Sequence, residues 1–132
     1  MAYLNWKKKP VSHEVHPHFR FEKELRVRLT PVEIEELAHE LENVFAPESS
    51  VELRIDFQTE WTLFWRARDS ESRLLVAHPE HQEWVATLAL ERGNGLELVR
   101  RLRQISAGDS ITLSEIFPVA IVSNFELVVV RI

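Results

Sequence analysis

The sequence predicts an α+β fold: a mainly antiparallel sheet of about six or seven strands with two amphipathic helices packed on one face. Three observations carry that expectation. Phe19, Phe21, Leu25, Val27 and Leu29 alternate with Arg20, Glu22, Glu24, Arg26 and Arg28, the period of two of a half-buried strand. At Thr30-Pro31-Val32-Glu33 the period resets, and Ile34, Leu37, Ala38, Leu41, Val44 and Phe45 follow at helical spacing. Alternation then returns in Val51, Leu53, Ile55 and Phe57.

At 132 residues the chain has the length of one domain. A chain of this size buries about two-thirds of its unfolded surface, enough for a core without staples. Cysteine is absent, which excludes disulfides, thiolate metal ligands and a thiol nucleophile, and fits a reducing cytoplasm. No apolar run approaches the ~18 residues of a membrane span. Lys7-Lys8-Lys9 has no apolar stretch behind it and does not read as a secretory signal. The expectation is a cytoplasmic protein with no membrane partner. A net charge of −5 argues against a general nucleic-acid binder. The charge is uneven: Glu33, Glu35, Glu36, Glu40 and Glu42 load the first helix, and Arg100, Arg101 and Arg103 the second.

Residues 1–18 show no periodicity and are expected as a flexible N-terminal arm, leaving 19–132 as the folded domain. The first helix starts on Thr30 as cap, Pro31 in its first turn and Glu33 closing a capping box. Ala46-Pro47-Glu48-Ser49-Ser50 stops it. Two strands follow, Val51 to Phe57 and Trp61 to Arg68. A loop of Thr59, Glu60 and Trp61 would set Phe57 opposite Leu63, Ile55 opposite Trp65 and Leu53 opposite Ala67. A slip of one residue would put Arg66 opposite Leu53 and is rejected.

Arg73 to Ala77 and Glu83 to Leu90 read as another hairpin, with His78-Pro79-Glu80-His81-Gln82 at its tip. Both arms are apolar on both faces, which predicts central or covered strands. Gly93-Asn94-Gly95 opens the second helix, where Asn94 and Glu97 repeat the cap-plus-acid spacing. Ala107-Gly108-Asp109 ends it, and Ile111 and Leu113 begin a short strand. Val119 to Val122 and Phe125 to Ile132 read as a final hairpin around Ser123-Asn124, with the C-terminus built into the core. A shift of 61 residues lays Leu29 on Leu90, Leu37 on Leu98, Ala38 on Val99 and Leu41 on Leu102. That is the spacing of two strand–helix–strand pseudo-repeats.

Motifs for chemistry are sparse. His78, His81 and Glu83 have the residue types of a divalent-metal site, but their spacing matches no established signature, and Pro79 denies them a helix. His13, His16 and His18 resemble a His-rich tract, which a flexible arm would leave without the partners that orient metal ligands. Phe64 beside Arg66 and Arg68, with Arg54 across the hairpin, is the one segment that sets an aromatic among cations, as base stacking requires. The competing and preferred reading puts Trp65 and Trp84 in the core and packs Phe64 under a helix. Gly93-Asn94-Gly95 could cradle an anion at a helix start near Arg92, Arg100 and Arg101, yet no dinucleotide or P-loop fingerprint accompanies it. No Gly-x-Ser-x-Gly elbow is present and no catalytic residue can be named.

The functional expectation is therefore a small regulatory or accessory domain without catalytic activity or cofactor. It would bind a protein partner or itself as a homodimer, with Glu33, Glu36 and Glu40 as the docking face. The alternative is a nucleic-acid or phosphate-ligand domain using Arg54, Phe64, Arg66, Arg68, Arg100 and Arg101. A metal-dependent enzyme on the His78–Glu83 loop comes third.

Overall fold

The computed structural model describes residues 1–68, 71–82, 85–117 and 125–132. Its strands are β1 Ala2–Trp6, β2 Val11–Val15, β3 Lys23–Leu29, β4 Glu52–Phe57, β5 Thr62–Arg68, β6 Glu71–Ala77, β7 Ala86–Glu91, β8 Ser110–Thr112 and β9 Phe125–Arg131. The helices are α1 Pro31–Phe45, α2 Gly95–Gln104 and the single turn α3 Leu113–Ile116. The α+β class holds. The single antiparallel sheet does not: the strands form two mixed sheets, β1-β4-β5-β6-β7 and β2-β3-β9-β8, with β1/β4 and β3/β9 parallel.

The cause is the path taken through the helices. From β3 the chain runs through α1 into the five-stranded sheet; from β7 it runs through α2 back into the four-stranded one. Each strand–helix–strand unit thus starts in one sheet and ends in the other. Hydrophobic periodicity reports which face of a strand is buried and is silent about which strand lies beside it.

Local chemistry explains α1. Thr30 Oγ1 accepts from the Glu33 amide at 3.3 Å, and Glu33 Oε1 accepts from the Thr30 amide at 2.9 Å, so the expected capping box is formed. The second box is not. A 3-10 turn, Arg92–Asn94, precedes α2, and the Asn94 amide nitrogen donates to Glu91 rather than the side-chain oxygen capping the helix. Leu37, Ala38 and Leu41 of α1 and their counterparts Leu98, Val99 and Leu102 of α2 are all buried. The helices pack antiparallel: Phe45 at the end of α1 meets Gly95 at the start of α2, while Arg103 near the end of α2 reaches Glu35 near the start of α1 at 3.2 Å. Arg103 also pairs with Glu42. Both helices share one core with the inner faces of the two sheets. Trp65, Leu41, Leu102 and Val129 meet around an apolar cavity of about 20 Å³, room for one water-sized body.

The β4/β5 register differs from expectation by two residues. Leu53 faces Trp65 and Ile55 faces Leu63. The turn is Gln58, Thr59 and Glu60, closed by the Phe57 amide on the Trp61 carbonyl at 2.8 Å. A two-residue shift keeps every side chain on its own face, so the apolar pattern cannot detect it. The rejected one-residue slip is indeed not used.

Residues 1–18, expected as a flexible arm or irregular lead-in, contain β1 and β2, one outer strand of each sheet. Trp6 is buried against Phe57, ring centroids 5.8 Å apart. In β2 four of five residues are exposed, so its pairing with β3 rests on backbone hydrogen bonds, which leave no hydrophobic signature. The two hairpin arms diverge in the same way. β6 is central, as its apolar faces predict, but β7 is an edge, with Thr87 and Ala89 exposed. β9 is central between β3 and β8, and Phe125, Leu127, Val128 and Val129 are buried. The preceding strand expected at Val119 to Val122, the turn Ser123-Asn124, and Glu83 and Trp84 lie outside the described residues. Among the described residues no helix is long and apolar enough to cross a membrane.

Candidate functional site

The outer face of the five-stranded sheet carries a continuous cross-strand arrangement of aromatic, aliphatic and cationic side chains. Leu53, Ile55, Leu63, Trp65, Leu74 and Val76 turn inward, so their neighbours must turn outward. Cross-strand registers place Tyr3, Arg54, Phe64, Leu75 and Thr87 in one row over five strands. A parallel row runs Glu52, Arg66, Arg73 and Ala89. Tyr3, Arg54 and Arg73 are exposed, and Phe64, Arg66 and Leu75 half-buried among them.

One end of this face is fixed by a buried carboxylate. Asp56 Oδ1 accepts from Arg54 Nε at 3.1 Å and from Thr62 Oγ1 at 2.9 Å, and Oδ2 accepts from Tyr3 Oη at 2.8 Å. Burial pushes the Asp56 carboxyl up, but the hydrogen bonds from Arg54, Tyr3 and Thr62 and the Arg54 charge outweigh it and hold the group below its ordinary value. The same bond to Asp56 raises the Tyr3 phenol and the Arg54 guanidinium. Arg54 and Tyr3 are thereby held in place across the sheet.

Beside this network lies a cleft of about 490 Å³, lined by Lys7, Arg54, Asp56, Gln58, Thr59, Glu60, Thr62 and Pro79. Its floor is strained. Thr59 and Glu60 have φ of 64° and 66°, and for the β-branched Thr59 this is a costly conformation. His78 braces the turn: its Nε2 donates to the Thr59 carbonyl, and its Nδ1 accepts from the amides of Glu80 at 3.0 Å and His81 at 3.2 Å. The ring is buried and packs 4.9 Å from Trp61, which His81 stacks upon. His78 thus has both nitrogens committed to backbone groups, and a metal would have to displace one of those bonds.

The other sequence-derived candidates are dispersed. Glu33 is occupied by the capping box and by Lys9 Nζ at 2.8 Å. Glu36 is exposed and Glu40 half-buried on the same helix, while Glu35 and Glu42 are taken by Arg103. Arg54, Phe64 and Arg66 do share a face, so Phe64 is not packed under a helix as expected but lies on the outer side, away from the core that Leu63 and Trp65 enter; Arg68 ends the same strand β5. Arg100 and Arg101 sit with the helices on the inner side of the sheet, Arg100 held by Glu97 and Gln104 and Arg101 by Glu115 at 3.3 Å. The start of α2 is filled by the Phe45 ring, and Arg92 donates to the Ala46 carbonyl at 2.7 Å, which leaves no anion cradle there. Sequence reasoning placed Asp56 beside Arg54 on this face and missed Tyr3 and Leu75. Tyr3 was legible only through the short alternation Ala2-Tyr3-Leu4-Asn5-Trp6.

No protein-family model, curated protein or solved structure matches the chain.

Proposed function

We propose that this is a non-catalytic interaction domain that docks a protein partner, or a second copy of itself, on the outer face of its five-stranded sheet. The row Tyr3–Arg54–Phe64–Leu75 supports this reading. Tyr, Phe and Arg are the side chains that anchor protein interfaces, and here Asp56 holds two of them in position before any partner arrives. Pre-ordering lowers the entropic cost of association. The acidic face of α1 is a weaker candidate, because much of its charge is already neutralised within the chain. Absence of cysteine fits a cytoplasmic setting for this role.

The test compares wild type with Phe64→Ala/Arg66→Glu and with Glu36→Lys/Glu40→Lys. Self-association is read by sedimentation velocity, and heterologous binding by affinity capture followed by titration of the purified captured protein. Loss with the first pair alone supports the sheet face; loss with the second pair alone returns the site to α1.

A nucleic-acid reading draws on Arg54, Phe64 and Arg66 sharing that face. Polarisation titrations with single-stranded oligonucleotides separate it from the first. Binding that falls steeply with added salt and vanishes in Phe64→Ala/Arg66→Glu would replace the protein-docking proposal.

A further inference from the structure

On the other sheet, the pairing of β2 with β3 sets Glu14 directly opposite Glu24, and the parallel pairing of β3 with β9 sets Glu24 beside Glu126. Three carboxylates thus stand in one cross-strand row. Glu126 is turned to the Ser114 amide, which leaves Glu14 and Glu24 as like charges directly opposite one another, a pairing that destabilises a sheet. Just past the end of β2, His16 turns its ring into this row. Its Nε2 lies 3.2 Å from Glu14 Oε2 and 3.9 Å from Glu24 Oε2. One ligand atom from each of the three residues falls within 4.8 Å of the others.

We propose that Glu14, His16 and Glu24 bind one divalent transition-metal ion of the zinc class, clasping the outer strand β2 to β3. Zinc takes imidazole nitrogen and carboxylate oxygen at about 2.0–2.2 Å, which puts two ligand atoms of a tetrahedron roughly 3.4 Å apart. The two separations from His16, 3.2 and 3.9 Å, bracket that spacing, and with all three ligand atoms within 4.8 Å of one another, rotation of the two carboxylates toward the imidazole assembles the site.

The chain also supplies the support that a His-rich arm would lack. The His16 amide donates to the Glu22 carbonyl, and the His16 carbonyl accepts from the Phe19 amide at 3.0 Å. The Phe19 ring meets the imidazole edge-on at 5.6 Å. The backbone of His16 is thus fixed and its ring has a packing neighbour. Arg26 is the competitor, 3.4 Å from Glu24. Its side chain is 37% exposed, and an ion pair that open to water is readily exchanged for a metal bond. Three protein ligands leave a coordination position for water.

The experiment is calorimetric titration of tag-free, chelator-treated protein with zinc chloride, repeated on His16→Ala, Glu24→Gln and His18→Ala, with far-UV circular dichroism to confirm that each variant is folded. Cobalt(II) absorption provides a second readout of coordination. The expected result is one equivalent bound by wild type and by His18→Ala, and weakening by more than about tenfold in His16→Ala and Glu24→Gln. Zinc should also raise the melting temperature of wild type and leave that of folded His16→Ala unchanged. No uptake by wild type would overturn the proposal. So would uptake that survives His16→Ala and Glu24→Gln, or that disappears in His18→Ala, since binding would then belong to the histidine tract at large.

Discussion

Gly95 opens α2 directly beneath the ring of Phe45: a Cβ built on it would lie 2.2 Å from Phe45 Cγ and 2.3 Å from Cδ1. The glycine is needed for close approach. It lets the end of α1 and the start of α2 touch, and Phe45 in turn meets Trp65 and Phe117 edge to face and tilted. Gly95→Ala adds a favourable helix residue worth up to about 1 kcal/mol, against overpacking that costs about 1–3 kcal/mol. The expected outcome in urea denaturation is a net loss of stability. Adding Phe45→Leu should recover part of it, giving a non-additive double-mutant cycle. An equally stable Gly95→Ala would mean that the two helix ends separate freely.

Glu33 is expected to act on folding and not on partner binding. Burial pushes its carboxyl up, but hydrogen bonds from Lys9 and Thr30 outweigh this and hold it below its ordinary value. Glu33→Ala removes one half of the capping box and the Lys9 pair, and should cost about 1 kcal/mol. A denaturation midpoint that falls while partner affinity stays unchanged is the outcome to look for.

Asp56 should make the protein sensitive to acid. Its carboxyl titrates lower in the folded state than in the unfolded one, so its stabilisation is complete above the ordinary carboxylate range and is lost as pH falls through the folded value. Asp56→Asn keeps the shape but removes the charge that Arg54 and Tyr3 bind. The expected loss at neutral pH is on the order of 1–3 kcal/mol, narrowing on acidification as wild type loses the same contribution. Thermal melts across the acid range check the convergence.

Glu126 has the opposite sign. Burial raises its carboxyl, against the hydrogen bond its Oε1 accepts from the Ser114 amide at 3.1 Å. Between the ordinary carboxylate value and the raised folded one, the folded state binds the proton more than the unfolded state does, so stability falls as pH rises through the folded value. Glu126→Gln keeps an acceptor for Ser114 without a charge to bury. It should melt above wild type at neutral pH, with the difference shrinking toward acid. A variant that melts lower at every pH would mean that the charged form is needed.

The two helices, the capping box on Thr30 and the inward faces of β4, β5 and, from Leu25 on, β3 were legible because each depends on residues adjacent in sequence; Phe19 and Phe21, read into the same alternation, precede β3, and Phe19 is exposed. Residues i, i+3 and i+4 share a helix face, and i and i+2 a strand face, wherever the element sits. Legibility ended where a second segment had to be chosen. β2 has almost no apolar face and is placed by its backbone pairing with β3 and by His13, whose ring meets Trp61 of the other sheet's turn at 5.4 Å. β7 carries enough apolar residues to pass for a central strand but lies at an edge. The β4/β5 register turned on the conformation of Thr59 and Glu60, to which apolar alternation is blind.

The same division runs through the candidate sites. The sequence alone determined that Phe64 and Arg66 share one face of a strand, that α1 starts at Thr30, and that no thiol chemistry is available. Tertiary structure decided that Tyr3 and Arg54 join Phe64 in one row, that Arg100 and Arg101 do not, and that Glu14, His16 and Glu24 converge. Periodicity is a property of a single segment. Proximity between segments depends on chain crossings and strand order, which α1 and α2 set by carrying the chain from one sheet to the other.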